Sequence, residues 1–298
     1  MTEINVYWEV QVSPQQMTEF TELLQAYATH IAPGESLKEI RIIADDALAE
    51  RIQLLTGKPY QAGSHYPEGV AVPIEQTGDL SCVILIRKAV FRPGQEALHV
   101  RILTLLEELY HCRLYHQTWQ RRGYLHPHGE DPYASDLFIT CNMLHDEYAV
   151  ARLKNTFLGQ FPMVRDAQGQ PTPWYSEYGA SLSDSLAQAS HQVHDPALSR
   201  MPASMRKSAM LPIAYRFIFE PLARHAGFLT PIPPDYQLHA PDNRPEQSAF
   251  YRDVIASYWL PIKQALEASF ASEFSKTEEM LETISEKMDA CLEELLKG

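Results

Sequence analysis

Residues 96–117 read EALHVRILTLLEELYHCRLYHQ, and their pattern sets the architecture expected for the chain. Apolar residues recur every three or four positions and form two adjacent stripes, which indicates an α-helix buried over most of its circumference. The two stripes are Leu98, Ile102, Leu105, Leu109 and Cys112, and Leu103, Leu106, Tyr110 and Leu114. A narrow remaining face carries Glu107, Glu108 and His111. The stretch therefore predicts a central helix with two carboxylates and an imidazole on one face.

A second long helix is predicted over residues 135–157, after a loop rich in glycine and proline. Glu147 lies on it, and its neighbours one and two turns away are almost all apolar: Thr140, Met143, Leu144, Val150 and Ala151. A carboxylate in such a surround is costly unless it has a partner. We therefore expect a partner for Glu147 from another element, and Arg152 is a cation that could pair with this acid or with one on the first helix.

Upstream of these helices the pattern changes to that of strands. Apolar residues alternate or cluster in short β-rich runs at residues 4–12, 39–44, 70–74 and 82–90. Ser13-Pro14 begins a helix after the first run, and Gly57 ends a shorter helix after the second. The spacing of the last two runs suits a hairpin. These signals predict a small mixed sheet with helices.

The C-terminal half is predicted to be mainly helical. Residues 159–202 have weak periodicity and one expected helix at 181–193, and residues 209–225 are apolar enough for a buried helix that Pro221 kinks or breaks. Residues 246–298 read as an amphipathic pair of helices broken near Ser275. The sequence thus predicts an α+β protein, with a first domain over residues 1–158 and a helical region over residues 159–298.

Composition restricts the possible partners. The formal net charge is −13 at pH 7, which would repel the phosphates of nucleic acids and anionic lipids. The sequence contains no apolar run of about 18 residues, and its N-terminus lacks the basic flank and apolar core of a secretion signal. The four cysteines have no metal-ligand spacing. We therefore expect a soluble cytoplasmic protein that binds neither nucleic acid nor a membrane.

The segment Leu105-Leu106-Glu107-Glu108-Leu109-Tyr110-His111 resembles the active-site helix of the zincin metallopeptidases, whose pattern is His-Glu-x-x-His with a third ligand from a later helix. Downstream, Asp146-Glu147-Tyr148-Ala149-Val150-Ala151-Arg152 is similar to the glutamate-bearing helix of the gluzincin branch. The strand predicted at residues 82–90 directly precedes the first helix, like the edge strand that lines the substrate cleft in those enzymes. The resemblance covers residues 70–154 of 298.

The resemblance implies that Glu107, His111 and Glu147 hold a divalent metal and that Glu108 is the general base. Tyr148 is a candidate donor to the oxyanion of the transition state. Glu107 stands where the family has its first histidine. Because two carboxylates and one imidazole form a harder and more negative donor set than an imidazole pair, zinc is implied first and manganese or iron competes with it.

The function implied is a metal-dependent, peptidase-like hydrolase that acts on a peptide or protein. The alternative is a catalytically inactive zincin-like protein that binds or regulates a partner, with Glu107 paired to Arg152 or to a lysine. A third reading is a dimetal helical bundle in which Glu108 and His111 form one half-site, although no second Glu-x-x-His accompanies it and the first ninety residues are rich in strands. Glutamate and histidine one turn apart also occur as a simple helix-stabilising pair.

Two further histidine pairs are weaker candidates for metal ligands. His126 and His128 lie in a loop rich in proline and glycine, where histidines are common without a metal. His191 and His194 are three positions apart on a predicted helix.

Overall fold

The structure is a computed structural model, and it describes residues 4–60, 67–93, 95–126, 131–158, 176–228 and 245–297. The chain divides into two compact units, residues 1–125 and 126–298. The sequence suggested a boundary after residue 158, whereas the division into these units falls in front of the second long helix. As predicted, the fold is α+β, with one four-stranded sheet in the N-terminal half and a helical C-terminal half.

The sheet belongs to the first unit. Its strands are β1 (Asn5–Trp8), β2 (Leu37–Ile43), β3 (Gly69–Gln76) and β4 (Asp79–Arg87), in the order β1-β2-β4-β3. Strands β1, β2 and β4 are parallel, whereas β3 is antiparallel to β4 and joined to it by a hairpin. The mixed sheet and its hairpin confirm the interpretation of the sequence.

Four helical elements accompany the sheet: α1 (Pro14–Ile31), α2 (Leu48–Thr56), a 3₁₀ turn (Lys88–Phe91) and α3 (Gln95–Arg122). Helix α1 begins as predicted, because the Ser13 side chain accepts a hydrogen bond from the Gln16 backbone N–H. Helix α2 ends at Gly57, which has a positive φ of 71°. In α3 most of the predicted apolar stripes are buried, but Leu98 in its first turn is 37% exposed.

The position of β4 differs from the expectation that came with the family resemblance. This strand lies inside the sheet between β2 and β3, and β3 is the edge strand next to it. The run Cys82–Ile86 is buried throughout, as in strands covered on both faces. Pro73 in β3 has no N–H to give to a further strand, which suits an edge. The sequence thus contained a signal that β3 is an edge strand.

The second unit is helical over its described residues. The elements are α4 (Pro132–Leu158), α5 (Ser176–Gln192), α6 (Pro196–Ser199), α7 (Ala203–Ala214), a π-helical turn (Tyr215–Phe219), α8 (Glu220–Phe228), a 3₁₀ turn (Pro245–Gln247), a second π-helical turn (Tyr251–Ile255), α9 (Ala256–Ala271) and α10 (Thr277–Leu295). Pro221 follows the first π-helical turn, where a missing N–H disturbs the regular ladder. The break near Ser275 is also present, with positive φ at Glu273 and Phe274.

Helix α4 belongs to the second unit because its apolar side is part of that unit's core. It packs against α8, α9 and α10. Leu137, Cys141, Leu144 and Tyr148 are its buried contributions to the cluster. These side chains form one apolar cluster with residues of the later helices. All four cysteines of the chain are free and buried. Within the described residues, no helix has the length and apolar content that crossing a membrane requires.

Candidate metal centre

Helix α3 presents the first part of the predicted site. Glu108 is 6% exposed and His111 is 8% exposed, while Glu107 is partly buried. The ring of His111 stacks beside that of Tyr115, with centroids 6.0 Å apart. The helix therefore holds its polar face largely out of solvent, which restricts these side chains to few orientations.

Glu108 has a definite structural partner in the first unit. Its Oε2 atom accepts a hydrogen bond of 2.5 Å from the backbone N–H of Ala71 in β3. Helix α3 approaches this edge strand so closely that a Cβ atom on Gly69 would lie 2.6 Å from Cγ2 of Thr104 and 3.2 Å from Cγ of Glu108. The predicted general base thus pairs with an N–H group of an edge strand, and the lack of a side chain at Gly69 permits the contact.

Glu147 has the partner that its apolar surround predicted, but this partner comes from α8. The side chain of Glu147 is 15% exposed, and its Oε2 lies 2.8 Å from Nη2 of Arg224. The same guanidinium approaches Glu220, with 3.2 Å between Nε and Oε1. Glu147 therefore already has one counter-charge within hydrogen-bond distance.

Arg152, the cation that the sequence suggested, has other contacts. Its Nη1 donates a hydrogen bond of 2.7 Å to the hydroxyl of Tyr148, and its guanidinium carbon lies 4.2 Å from the ring centre of Phe270. Tyr148 is only 1% exposed, and burial raises the pKa of its hydroxyl while Arg152 opposes the rise. Tyr148 follows Glu147 directly in the sequence, but it lies in the core of the second unit. This position suits a packing role better than donation to an oxyanion.

A buried polar chain in the second unit was missed by the sequence analysis. His145 is 4% exposed, its Nδ1 lies 3.1 Å from Oδ1 of Asp146, and its Nε2 lies 2.9 Å from Oγ of Ser269. Ser269 in turn is 3.0 Å from Oγ1 of Thr277. An adjacent His-Asp pair on a buried helix and a serine in the apolar helix α9 were the available signals. This series of hydrogen-bonded side chains connects α4 with the end of α9 and the start of α10.

Among the residues that the structure describes, one group of histidine, cysteine or acidic side chains could hold a metal ion. Its members are Glu107, His111 and Glu147, and one ligand atom from each lies within 4.8 Å of the other two. Ligands bound tetrahedrally to zinc at ~2.1 Å are about 3.4 Å apart, so atoms within 4.8 Å of one another need at most a small closing movement to bind one ion. Glu108 and Tyr148, the two predicted catalytic residues, are not members.

Among the described residues, the other histidine candidates belong to no group that could hold a metal ion. His126 is partly buried, whereas His128 lies outside the described residues. His191 and His194 are both exposed on the surface of the second unit. The dimetal reading would need a second Glu-x-x-His, and the group just described contains one imidazole.

Comparisons with protein-family models, with curated proteins and with solved structures found no match to this chain. The resemblance to zincins therefore rests on the sequence motif and on the three candidate ligands.

Proposed function

We propose that Glu107, His111 and Glu147 bind one divalent metal ion and that the protein is a metal-dependent hydrolase of peptidase type. The observation that carries this proposal is the proximity of the three ligand atoms, all within 4.8 Å of one another. Three protein ligands leave at least one coordination position for water, which is the arrangement of hydrolytic metal sites.

The donor set determines which metal suits the site and how strongly it activates water. Two carboxylates balance the charge of a divalent ion, so a bound water is less acidified than one on a zinc held by neutral histidines. Zinc is the first candidate, and manganese and iron compete because carboxylate oxygens are harder donors. His111 supplies the one imidazole ligand.

Glu108 is the proposed general base, and its hydrogen bond to Ala71 bears on that role. The Ala71 N–H engages Oε2, which fixes the orientation of the carboxylate. Proton transfer from water would then take place at Oε1. Because a general base must be within hydrogen-bond reach of the water, this role requires Oε1 to be directed toward the metal.

A second candidate function is favoured by the contact between Arg224 and Glu147. The guanidinium lies 2.8 Å from the carboxylate and neutralises it without a metal. A protein that never exchanges this contact for an ion would be an inactive zincin-like module that binds or regulates a partner. The two candidates thus differ in whether a metal can compete with Arg224.

Metal analysis of the purified protein tests the proposal. We expect one equivalent of zinc, manganese or iron after equilibration and dialysis, and at least tenfold weaker binding in the variants Glu107→Gln, His111→Ala and Glu147→Gln, since ligand loss removes a coordinate bond. Glu220→Gln is the matched control, because Glu220 contacts the same arginine and is not a candidate ligand. Absence of stoichiometric metal in the wild-type protein would reject the metal site.

Hydrolysis is tested separately, by mass spectrometry of a peptide library incubated with the metal-loaded protein. We expect Glu108→Gln to keep the metal and lose cleavage. A protein that binds metal but cleaves no peptide in this library would reject the peptidase proposal and favour the binding module.

A further inference from the structure

A separate groove lies within the first unit, where the start of α1 meets the 3₁₀ turn and the first turns of α3. It is open to solvent and has a volume of about 530 Å³, and its walls include Glu19, Phe91, Arg92, Leu98 and Arg101. None of these residues belongs to the candidate metal centre. The groove is therefore a second candidate site, formed by different residues.

Phe91 forms an apolar wall of this groove, and aromatic packing holds its ring in place. Its ring packs edge-on against Trp8 and Phe20, with centroid separations of 5.5 Å and 5.4 Å. Its carbonyl oxygen accepts a hydrogen bond of 2.5 Å from the Gln16 side-chain amide. Leu98, which is 37% exposed, adds a second apolar surface at the groove. Part of the groove is thus suited to a hydrocarbon group.

Arg101 supplies a positive charge that is buried and held in place. The residue is 4% exposed, its Nε donates to the carbonyl oxygen of Val90 at 3.2 Å, and its guanidinium lies over the Phe91 ring at 4.8 Å. Because Nε and the planar face are engaged, the guanidinium has a fixed orientation. Burying a charge is costly, and an anion that hydrogen-bonds to it offsets that cost.

Among the residues that the structure describes, Glu19 is the acid that approaches Arg101, and it only partly balances the charge. The distance from Nη1 of Arg101 to Oε2 of Glu19 is 3.6 Å, which is too long for a hydrogen bond. Glu19 is 44% exposed, and its Oε1 accepts a hydrogen bond from Gln15. Since Arg92 also lines the groove, two cations face one carboxylate. Counted over its described lining residues, the groove has a net charge of about +1 in a chain whose overall charge is −13.

We propose that this groove binds a small amphiphilic anion, a carboxylate or phosphate attached to a short apolar group. The anionic head pairs with Arg101 and Arg92, because the planar guanidinium donates two parallel hydrogen bonds to either kind of oxyanion. The apolar group lies against Phe91 and Leu98. This site needs no metal and is independent of the hydrolase proposal.

Isothermal titration calorimetry in buffer containing EDTA tests this site on the full chain. The probes are octanoate, octyl phosphate, inorganic phosphate and octanol. We expect one molecule of octanoate or octyl phosphate to bind per chain, and the stronger of the two identifies the preferred head group. Octanol and inorganic phosphate, which each lack one half of the ligand, should bind at least tenfold more weakly.

Charge variants locate the binding. Arg92→Gln should weaken the binding of the anionic probe about tenfold, and Glu19→Gln should strengthen it several-fold because a competing carboxylate is removed. Lys58→Gln and Glu22→Gln make the same charge changes at exposed positions of the first unit and should have no more than a twofold effect. All four positions are at least partly exposed, so folding is preserved.

Three results would overturn the proposal. Failure of both octanoate and octyl phosphate to bind would do so, as would octanol or inorganic phosphate binding as tightly as the amphiphiles. The third is binding that Arg92→Gln and Glu19→Gln leave unchanged, since the anion would then lie elsewhere.

Discussion

Oε2 of Glu108 accepts a 2.5 Å hydrogen bond from the backbone N–H of Ala71 and thereby joins α3 to the outer edge of β3. An edge strand presents N–H groups that a further strand would otherwise pair with, and an exposed edge favours aggregation. Here a carboxylate from the covering helix takes the place of a strand. A residue that the zincin resemblance assigns to catalysis thus has a demonstrable structural role in this chain.

The first prediction concerns this contact. Glu108→Ala should lower the free energy of unfolding by about 2–3 kcal/mol, because it removes a charge-assisted hydrogen bond and leaves the N–H of Ala71 unsatisfied. Glu108→Gln keeps an acceptor oxygen and should cost about half as much. Urea denaturation with EDTA present measures both values. Equal stability of wild type and Glu108→Ala would contradict the anchoring role.

The second prediction concerns the close packing of Gly69 against α3. Gly69→Ala should destabilise the protein by about 1–3 kcal/mol, since the new Cβ would lie 2.6 Å from Cγ2 of Thr104. Thr104→Ser removes that methyl group, so the double variant should recover at least half of the loss. Thr104→Ser alone is the matched control. Strictly additive effects in this double-mutant cycle would mean that the two side chains do not meet.

Local signals explain the parts of the fold that the sequence predicted. The Ser13-Pro14 start of α1, the hairpin between β3 and β4 and the break near Ser275 each depend on a few consecutive residues. The order of strands in the sheet depends on pairing between distant segments, and only Pro73 marked β3 as an edge. The α+β class followed from periodicity alone.

The candidate site was predictable to a smaller extent. The apolar surround of Glu147 correctly indicated a partner from another element, but the choice of Arg224 over Arg152 required the packing of α8 on α4. Tyr148 lies in the core of the second unit because successive helical residues point about 100° apart, so a neighbour of Glu147 in sequence lies on a different face of α4; its role as an oxyanion donor stays a prediction. A sequence motif alone does not show which arginine pairs with Glu147 or which face of α4 packs into the core.

The third prediction concerns Arg224 as a competitor of metal. Arg224→Met removes the guanidinium and should lower the free energy of unfolding in EDTA by about 1–2 kcal/mol, since a mostly buried carboxylate loses its counter-charge. If Glu147 is a ligand, the same variant should bind zinc at least fivefold more tightly than wild type. Zinc titration followed by thermal unfolding measures both effects. Identical zinc affinities would remove Glu147 from the ligand set.

The fourth prediction concerns the buried series of hydrogen-bonded side chains formed by Asp146, His145, Ser269 and Thr277. Ser269→Ala leaves Nε2 of His145 without its 2.9 Å partner and should cost about 1–3 kcal/mol of stability. Ser275→Ala, in the exposed turn nearby, is the matched control and should change stability by less than about 0.5 kcal/mol. Chemical denaturation provides the comparison. A Ser269→Ala variant as stable as the control would show that these hydrogen-bonded side chains do not hold α4 against α9 and α10.

The last prediction concerns stability at high pH. Burial raises the pKa of the Cys141 and Cys291 thiols from the ordinary value of 9.0 to about 12. A folded-state pKa above the unfolded value means that the unfolded chain loses its proton first, so the stabilising contribution is complete below pH 9 and is lost as pH rises toward 12.

Each of these two thiols should therefore lower the free energy of unfolding by about 1.4 kcal/mol per pH unit above pH 9. Denaturation curves at pH 8, 9, 10 and 11 measure the slope, and the double variant Cys141→Ala/Cys291→Ala should reduce it by the contribution of both groups. The folded protein at pH 8 should also react slowly with a thiol reagent, whereas the denatured chain should react at all four cysteines. An unchanged slope in the double variant would mean that both thiols ionise as readily in the folded protein as in the unfolded chain.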